Sequence, residues 1–469
     1  MLENFSVKNW RNGIHGLGVE ISSDCNLRCK YCYYYRGASC SDILTDEQFF
    51  GNIDNVLDKV FEDFVNLQNI DFWGAEPLLH IKRIHHVVDK VIDSGKYKEF
   101  TFLISSNMAH EKPIYTQLFE MFDELEKKLV DKDMKIRFDI QSSIDFPKKV
   151  HNMFRVGVSG KNTYSTVRHN YTSLIKKIGQ KNYRRVRLSI FTKSTYNYKE
   201  LDLKTIREAP DYIYDEIFKD LPMIGEAQKK SNTFNFNIDY FPTPATGIDY
   251  TLDDGLKNYA FYQSTFDNFD QYFAEGKLTY ANAMFFLPGN FRIFISDLLC
   301  LPAIEKYQYP VCRSGVSFIG VKINGDIYPC HHFFTVPSRE NFIIGNLFTD
   351  KYNEEMLLVM LNIYYLLSET AIDFENKVFR PKYSKNLNYG SLSNISSNFY
   401  RLILRHICFA ENCEFKGQWE KLDIDPILRL YPVQWLELCL KFISKYRRVF
   451  DAIADKQFYA TYGLNKVNG

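Results

Sequence analysis

Along the first half of the chain, short apolar runs alternate with longer runs of helical period. Leu17 to Ser22 reads as a first strand. A helix is expected from Thr45 to Phe64, because Thr45 and Gln48 stand in capping-box register and Phe49, Ile53, Val56, Leu57 and Val60 recur at helical spacing. Asn69 to Trp73 follows as a strand, Ile81 to Ser94 as a helix closed by Gly95, and Phe100 to Ser106 as a third strand. The rhythm continues with a helix at Tyr115 to Asp131, a strand at Lys135 to Ile144 and a helix at Tyr164 to Ile178. A strand at Val186 to Thr192 and a sixth at Phe234 to Phe241 complete it.

Strands separated by helices predict a parallel α/β sheet, and right-handed crossovers would curl it into a partial TIM-type (β/α)6 barrel. An open doubly wound sheet is the competing arrangement. In a barrel, chemistry belongs to the loops that follow the carboxyl ends of the strands. The rhythm stops after Pro244. Residues 246–299 read as a helical, aromatic-rich connecting segment after a core of residues 1–245. A cysteine-rich domain is expected over 300–469, with a turn signal at Asn324-Gly325-Asp326, a polar loop at Ser384 to Asn398 and a closing helix at Trp435 to Ile453.

Charge narrows the possibilities. Fifty-eight Lys plus Arg face fifty-seven Asp plus Glu, a formal charge of +1, so no global field draws the chain to nucleic acid or to a membrane surface. The longest nearly unbroken apolar run, Met356 to Leu367, is shorter than the ~20 residues that span a bilayer and reads as a buried helix. The amino end, MLENFSVKNWRNG, lacks the apolar core of a signal peptide. A cytoplasmic location is expected, where ten cysteines serve as metal ligands or free thiols rather than disulfides.

Three of those cysteines, Cys25, Cys29 and Cys32, lie within eight residues just past the first strand. One loop can wrap a metal centre with three thiolates, and a three-ligand set leaves a coordination position open. A structural zinc knuckle with its fourth ligand elsewhere is the alternative. The run CNLRCKYCYY resembles the signature of the radical S-adenosylmethionine (SAM) enzymes. The resemblance implies a [4Fe-4S] cluster on Cys25, Cys29 and Cys32 whose fourth iron chelates SAM. Reductive cleavage of SAM would then give a 5′-deoxyadenosyl radical that abstracts a hydrogen atom, and Tyr31 would lie against the adenine.

Other strand ends extend the resemblance. Trp73-Gly74-Ala75-Glu76-Pro77 is similar to the family's Gly-Gly-Glu-Pro turn, which holds the SAM ammonium, with Ala75 in place of the second glycine. Ser105-Ser106-Asn107 stands where the family has Thr-Asn-Gly, and Met108 replaces a glycine. Ser142-Ser143-Ile144-Asp145, followed by His151, Arg155, Gly157 and Gly160, resembles a peptide- and protein-modifying branch. That likeness assigns Ser143 and Arg155 to the SAM ribose and carboxylate, although Phe146 stands where the branch has glycine.

In the second half, Cys312, the Asn324-Gly325 turn, Cys330, Phe333 and Gly345-Asn346-Leu347 resemble the auxiliary-cluster domain called SPASM, or its shorter form called twitch. The likeness implies one auxiliary [4Fe-4S] cluster on Cys300, Cys312, Cys330 and either Cys408 or Cys413. Two clusters with open or non-cysteine positions stand as the alternative, with His406, His331 or His332 as substitutes. Cys40 and Cys439 read as ordinary buried thiols. Anaerobic sulfatase-maturating enzymes place an aspartate where this chain has His331, which would make His331 the candidate base.

The expected function is therefore radical modification of a ribosomally made peptide, with thioether or carbon-carbon crosslinking as fitting outcomes. A reductant such as flavodoxin or ferredoxin is the implied partner, with no nucleic acid and no membrane. Two alternatives stand beside it: formylglycine formation on a sulfatase, and a non-catalytic metal-binding scaffold.

Overall fold

The computed structural model describes residues 5–32, 34, 44–217, 234–245, 248, 250–278, 314–335, 339–361, 441 and 445. Six parallel strands stand side by side in chain order: β1 (Gly16–Ser22), β2 (Asn69–Gly74), β3 (Glu99–Ser106), β4 (Lys135–Ser143), β5 (Val186–Tyr196) and β6 (Phe234–Pro244). A doubly wound sheet reverses direction at a switch point, and this order never reverses. The singly wound, curled sheet of a partial barrel is thus the observed form.

The helices are α1 (Val7–Asn12), α2 (Asp46–Asp63), α3 (Ile81–Asp93), α4 (Lys112–Leu129), α5 (Lys148–Phe154), α6 (Tyr164–Ile178), α7 (Leu203–Ile217) and α8 (Leu252–Ala274). Thr45 and Gln48 close the expected capping box at the start of α2, each side chain bonded to the other residue's backbone N–H. Alternation along the strands turns one face to the helices. Leu17, Val19 and Ile21, then Ile70 and Phe72, then Phe102 and Ile104, then Phe138 and Ile140 join Ile53, Leu57, Val88 and Leu125 in one core. The opposite face is polar and half-buried, and it carries Glu20, Asp71, Trp73, Ser105, Gln141, Ser143 and Lys193. A core filled on one side only leaves that polar face for binding.

Some boundaries differ from the sequence expectation. Helix α4 starts at Lys112, because Pro113 fits the first turn of a helix, where its missing N–H costs nothing. Strand β5 runs on to Tyr196, because its polar end pairs with residues 240–244 of β6.

Four further strands extend the same sheet beyond β1: β7 (Phe318–Val321), β8 (Asp326–Tyr328), β9 (Gly345–Asn346) and β10 (Lys351–Tyr352). Strand β7 pairs in parallel with β1, Gly16 opposite Phe318 through Val19 opposite Val321. The expected turn joins β7 to β8, where Lys322 donates to the Asp326 carbonyl at 3.0 Å and Gly325 to the Lys322 carbonyl at 2.9 Å. A 3₁₀ turn, His331–Thr335, then lies against β7 so closely that a Cβ on Gly320 would stand 2.8 Å from the Cys330 carbonyl carbon. Glycine is required there by contact rather than by conformation.

Among the described residues no helix is long and apolar enough to cross a membrane. The run Met356 to Leu367 is described only to residue 361, where residues 354–361 are helical. Cys40, Cys300, Cys312, His406, Cys408, Cys413 and Cys439 lie outside the described residues, as do the stretch 384–398 and all but two positions of 435–453.

Candidate functional site

The cysteine loop leaves β1 and is stitched to the segment after α5. Arg28 N–H donates to the Val156 carbonyl at 2.7 Å, Lys30 to Phe154 at 2.9 Å and Val158 to Asn26 at 3.1 Å. Within the loop Cys32 N–H reaches the Cys29 carbonyl at 3.0 Å, a tight turn that sets two of the thiols. The Cys25 sulfur accepts from Leu27 N–H at 3.3 Å and from the Asn107 side-chain amide at 3.6 Å.

The next two strand ends brace that loop. Gly74 has φ +126°, and a Cβ there would stand 2.1 Å from the Ser22 carbonyl oxygen, so only glycine lets β2 pass β1 at this point. Ala75 N–H then donates to Ser22 at 3.0 Å and Glu76 N–H to Asp24 at 2.9 Å. The Glu76 carboxylate is buried. It accepts from Asn107 N–H at 2.7 Å and Leu78 N–H at 3.3 Å, and lies 3.1 Å from His110 Nε2. Glu76 therefore ties the end of β2 to the end of β3, with Pro77 opening the short 3₁₀ turn behind it. Met108 has φ +59°, so the position where the motif calls for glycine is left-handed here and is filled by methionine instead.

A second network holds the far side of the loop. Asp145, fully buried just past β4, takes both Nε of Arg155 at 2.9 Å and Nη2 at 3.2 Å, and it accepts from the Tyr31 hydroxyl and from Thr195 N–H at 2.8 Å. The Arg155 guanidinium lies 5.4 Å from the centre of the Tyr31 ring, which also packs on Phe154. Arg155 and Tyr31, read from sequence as cofactor contacts, thus have firm protein partners, and the partner Asp145 carries no such role in the sequence reading. His151 closes the network, its Nδ1 accepting from Asp145 N–H at 3.2 Å and its Nε2 lying 3.1 Å from Thr163 Oγ1. Burial holds its imidazole down at about 4, against the pull of Asp145. Ser143 is half-buried on the polar face.

Burial pushes the Cys25 thiol up to about 12, with the Glu76 charge adding to it, and the Cys29 thiol up to about 11 despite Arg155. A bound cationic centre would draw the protons off these thiols, and cysteine thiolates are the donors an iron-sulfur cluster takes. Among the described residues no three Cys, His, Asp or Glu side chains converge on a point that would hold a single metal ion. Three free thiols on one loop are a donor set that fits an iron-sulfur cluster.

On the other flank of β1, Cys330 is buried with Tyr328, Phe333 and Phe334. His331 lies flat on the Trp73 indole, ring centres 3.5 Å apart and planes 6° apart, with His332 at 4.4 Å. Neither ring nitrogen of His331 meets a hydrogen-bond partner among the described residues, and burial holds both imidazoles below their ordinary range, His332 at about 4. Both rings are neutral near pH 7. The structure thus brings Cys25, Cys29, Cys32, Gly74 to Pro77, Asn107, Arg155 and Tyr31 to the loops past neighbouring strand ends, with His331 stacked on Trp73 over Gly18 of β1. Of the auxiliary set it places Cys330. Asn26 and His110 were not singled out in the sequence, because their roles arise only when β2 and β3 lie side by side.

No protein-family model matches the chain. The radical SAM cyclopropyl synthase TigE of Paramaledivibacter caminithermalis is 23% identical over 268 residues, 54% of this chain and 50% of that protein. A cysteine-type anaerobic sulfatase-maturating enzyme of Clostridium perfringens is 28% identical over 153 residues, 31% of this chain and 36% of that protein. One of Clostridium novyi is 18% identical over 339 residues, 71% of this chain and 78% of its own. The aligned region thus spans half the length of the synthase and about a third of the C. perfringens enzyme. Among solved structures, native anSMEcpe with bound AdoMet and Cp18Cys peptide matches with a TM-score of 0.52 at 17% identity, over 94% of this chain and 99% of that one. A polyhistidine-tagged form of anSMEcpe with bound AdoMet gives 0.53 at 16%, over 96% and 98%. The chain thus shares the fold of anSMEcpe and is similar in sequence to radical SAM enzymes.

Proposed function

We propose that the chain is a radical SAM enzyme that modifies a peptide, with Cys25, Cys29 and Cys32 holding a [4Fe-4S] cluster. The observation that carries this reading is the bracing of one three-thiol loop by two neighbouring strand ends, through Glu76 and Asn107. The cluster and SAM, when bound, would supply the electron and the carbon radical that removes a hydrogen atom from the substrate. The protein's own groups do the positioning. Gly74 to Pro77 shape the turn beside the loop, and Glu76 holds that turn to Asn107 rather than offering an unpaired carboxylate. Asp145 fixes Arg155 and Tyr31 along the loop's other side, and Ser143 stands beside them at the end of β4. The polar inner face of the sheet is the surface for substrate, with His331, stacked on Trp73, as the candidate base.

A peptide substrate is supported by the Cp18Cys peptide bound to the fold neighbour and by the maturase relatives. Cys330, with Cys300, Cys312 and Cys408 or Cys413, is our candidate ligand set for one auxiliary cluster. Residues 1–245, 246–299 and 300–469 remain our division into core, connector and auxiliary domain, with β7 to β10 of the last completing the sheet of the first. A cytoplasmic enzyme served by a flavodoxin or ferredoxin fits the reduced thiols.

Anaerobic reconstitution with iron and sulfide tests the reading. About eight irons per chain and reductant-dependent 5′-deoxyadenosine formation are expected, from one catalytic and one auxiliary cluster. Zinc in place of iron-sulfur, with no SAM cleavage under any reductant, would leave the scaffold alternative standing.

A further inference from the structure

Asn107 directly follows β3 in an environment that fixes every polar atom of its side chain. Its Oδ1 accepts from Ala109 N–H at 2.8 Å, which leaves Nδ2 no choice but to face the cysteine loop. There Nδ2 donates to Asn26 Oδ1 at 2.8 Å and to Cys25 Sγ at 3.6 Å. Asn26 is oriented in turn, because its own Nδ2 donates to the Ala109 carbonyl. Two amides thus lock each other, and the lock aims one N–H at one sulfur. Leu27 N–H donates to the same sulfur at 3.3 Å.

We propose that Asn107 is a positioning residue that tunes the one-electron reduction of the cluster on Cys25, a proposal that rests on the cluster reading above. Reduction adds one electron, taken from an external one-electron reductant, and part of the added negative charge falls on the cysteine sulfurs. An N–H aimed at a sulfur stabilises that charge, and hydrogen bonds to the sulfurs are among the levers that set cluster potentials. Asn107 is buried and Cys25 half-buried, so water competes less for the interaction than it would at a free surface. Glu76 places a negative charge nearby, and its carboxylate accepts from the backbone N–H of Asn107 itself. One residue therefore receives the carboxylate on its main chain and offers a compensating donor on its side chain.

The test is an anaerobic redox titration of the reconstituted full-length chain, without SAM, followed by electron paramagnetic resonance. The catalytic cluster is identified as the signal that changes when SAM is later added. Asn107→Ala removes the donor, and Asn107→Asp keeps the shape and the acceptor for Ala109 while replacing the donor with negative charge. The Ala variant is expected to move the reduction equilibrium about tenfold toward the oxidised form, about 59 mV for a one-electron couple. The Asp variant is expected to move it further. If either variant carries the SAM-sensitive cluster and its equilibrium moves less than twofold, the assignment of Asn107 is overturned while the cluster reading stands. If the unaltered chain takes up no cluster at all, the reading fails and the inference falls with it.

Discussion

The sharpest test of the site's scaffold is the pair Asp145 and Arg155. Both are buried, and the pair is doubly hydrogen-bonded at 2.9 and 3.2 Å. D145N keeps the side chain's shape but leaves a guanidinium inside the protein without its counter-charge. Breaking a buried pair in this way costs about 3–5 kcal/mol, because one partner's desolvation goes uncompensated. R155M removes the cation instead and leaves a buried carboxylate with Tyr31 and Thr195 as its donors among the described residues. Its cost is of the same order. The double variant has no charge left to strand, and neutral replacements of buried pairs are often close to innocuous. It should therefore be more stable than the two single losses summed, with a coupling of about 2–3 kcal/mol. Differential scanning calorimetry on the four proteins measures this. At about 2 °C per kcal/mol for a core of this size, each single variant should lose roughly 6–10 °C in Tm. Additivity to within about 0.5 kcal/mol would refute the argument, since it would mean that the two groups do not depend on each other.

Other expectations follow from single residues. Gly74→Ala forces a Cβ to within 2.1 Å of the Ser22 carbonyl oxygen at φ +126°, so a loss of about 2–4 kcal/mol and failure to retain iron are expected, read by Tm and iron content together. An unchanged Tm would show that the β1 and β2 ends do not meet as described. Met108→Gly relieves a left-handed strain of about 1–2 kcal/mol but empties a fully buried site worth about 2–5 kcal/mol, so net destabilisation is expected, and a gain in Tm would reverse that ranking. His151 titrates at about 4 in the folded chain against about 6.5 unfolded, so the unfolded state binds more protons between those values. Its contribution, roughly 3 kcal/mol, is complete above pH 6.5 and lost as pH falls toward 4. His151→Asn should flatten that part of the stability profile, and an unchanged slope would assign the acid sensitivity elsewhere.

The helical and strand periods, the capping box at Thr45 and the turn at Asn324 were legible in the sequence because each depends on residues a few positions apart. The motifs at the strand ends were legible as residues but not as contacts. Glu76 and Arg155 read as ligand-binding side chains, yet each is taken up by the protein, through Asn107 and His110 in one case and Asp145 in the other. Asn107 and His110 follow β3 and meet Glu76 only because the sheet sets β2 beside β3, whereas Asp145 and Arg155 meet across the short segment that holds α5. Helix α5 was missed because seven residues give too little periodicity to register. The parallel pairing of β1 with β7 joins positions some three hundred residues apart, and nothing local in either segment announces it.

That pairing bears on how the protein can be dissected. With β7 in place, β1 has a hydrogen-bonded neighbour on each flank. A fragment ending before Phe318 would strip one flank and turn Gly16–Ser22 into an edge bearing Leu17, Val19 and Ile21, an open template for another chain. The strand that launches the cysteine loop would then be the one most prone to self-association. Expression of the amino-terminal half alone should yield aggregates rather than a minimal enzyme, and a workable truncation must keep the segment through Tyr328.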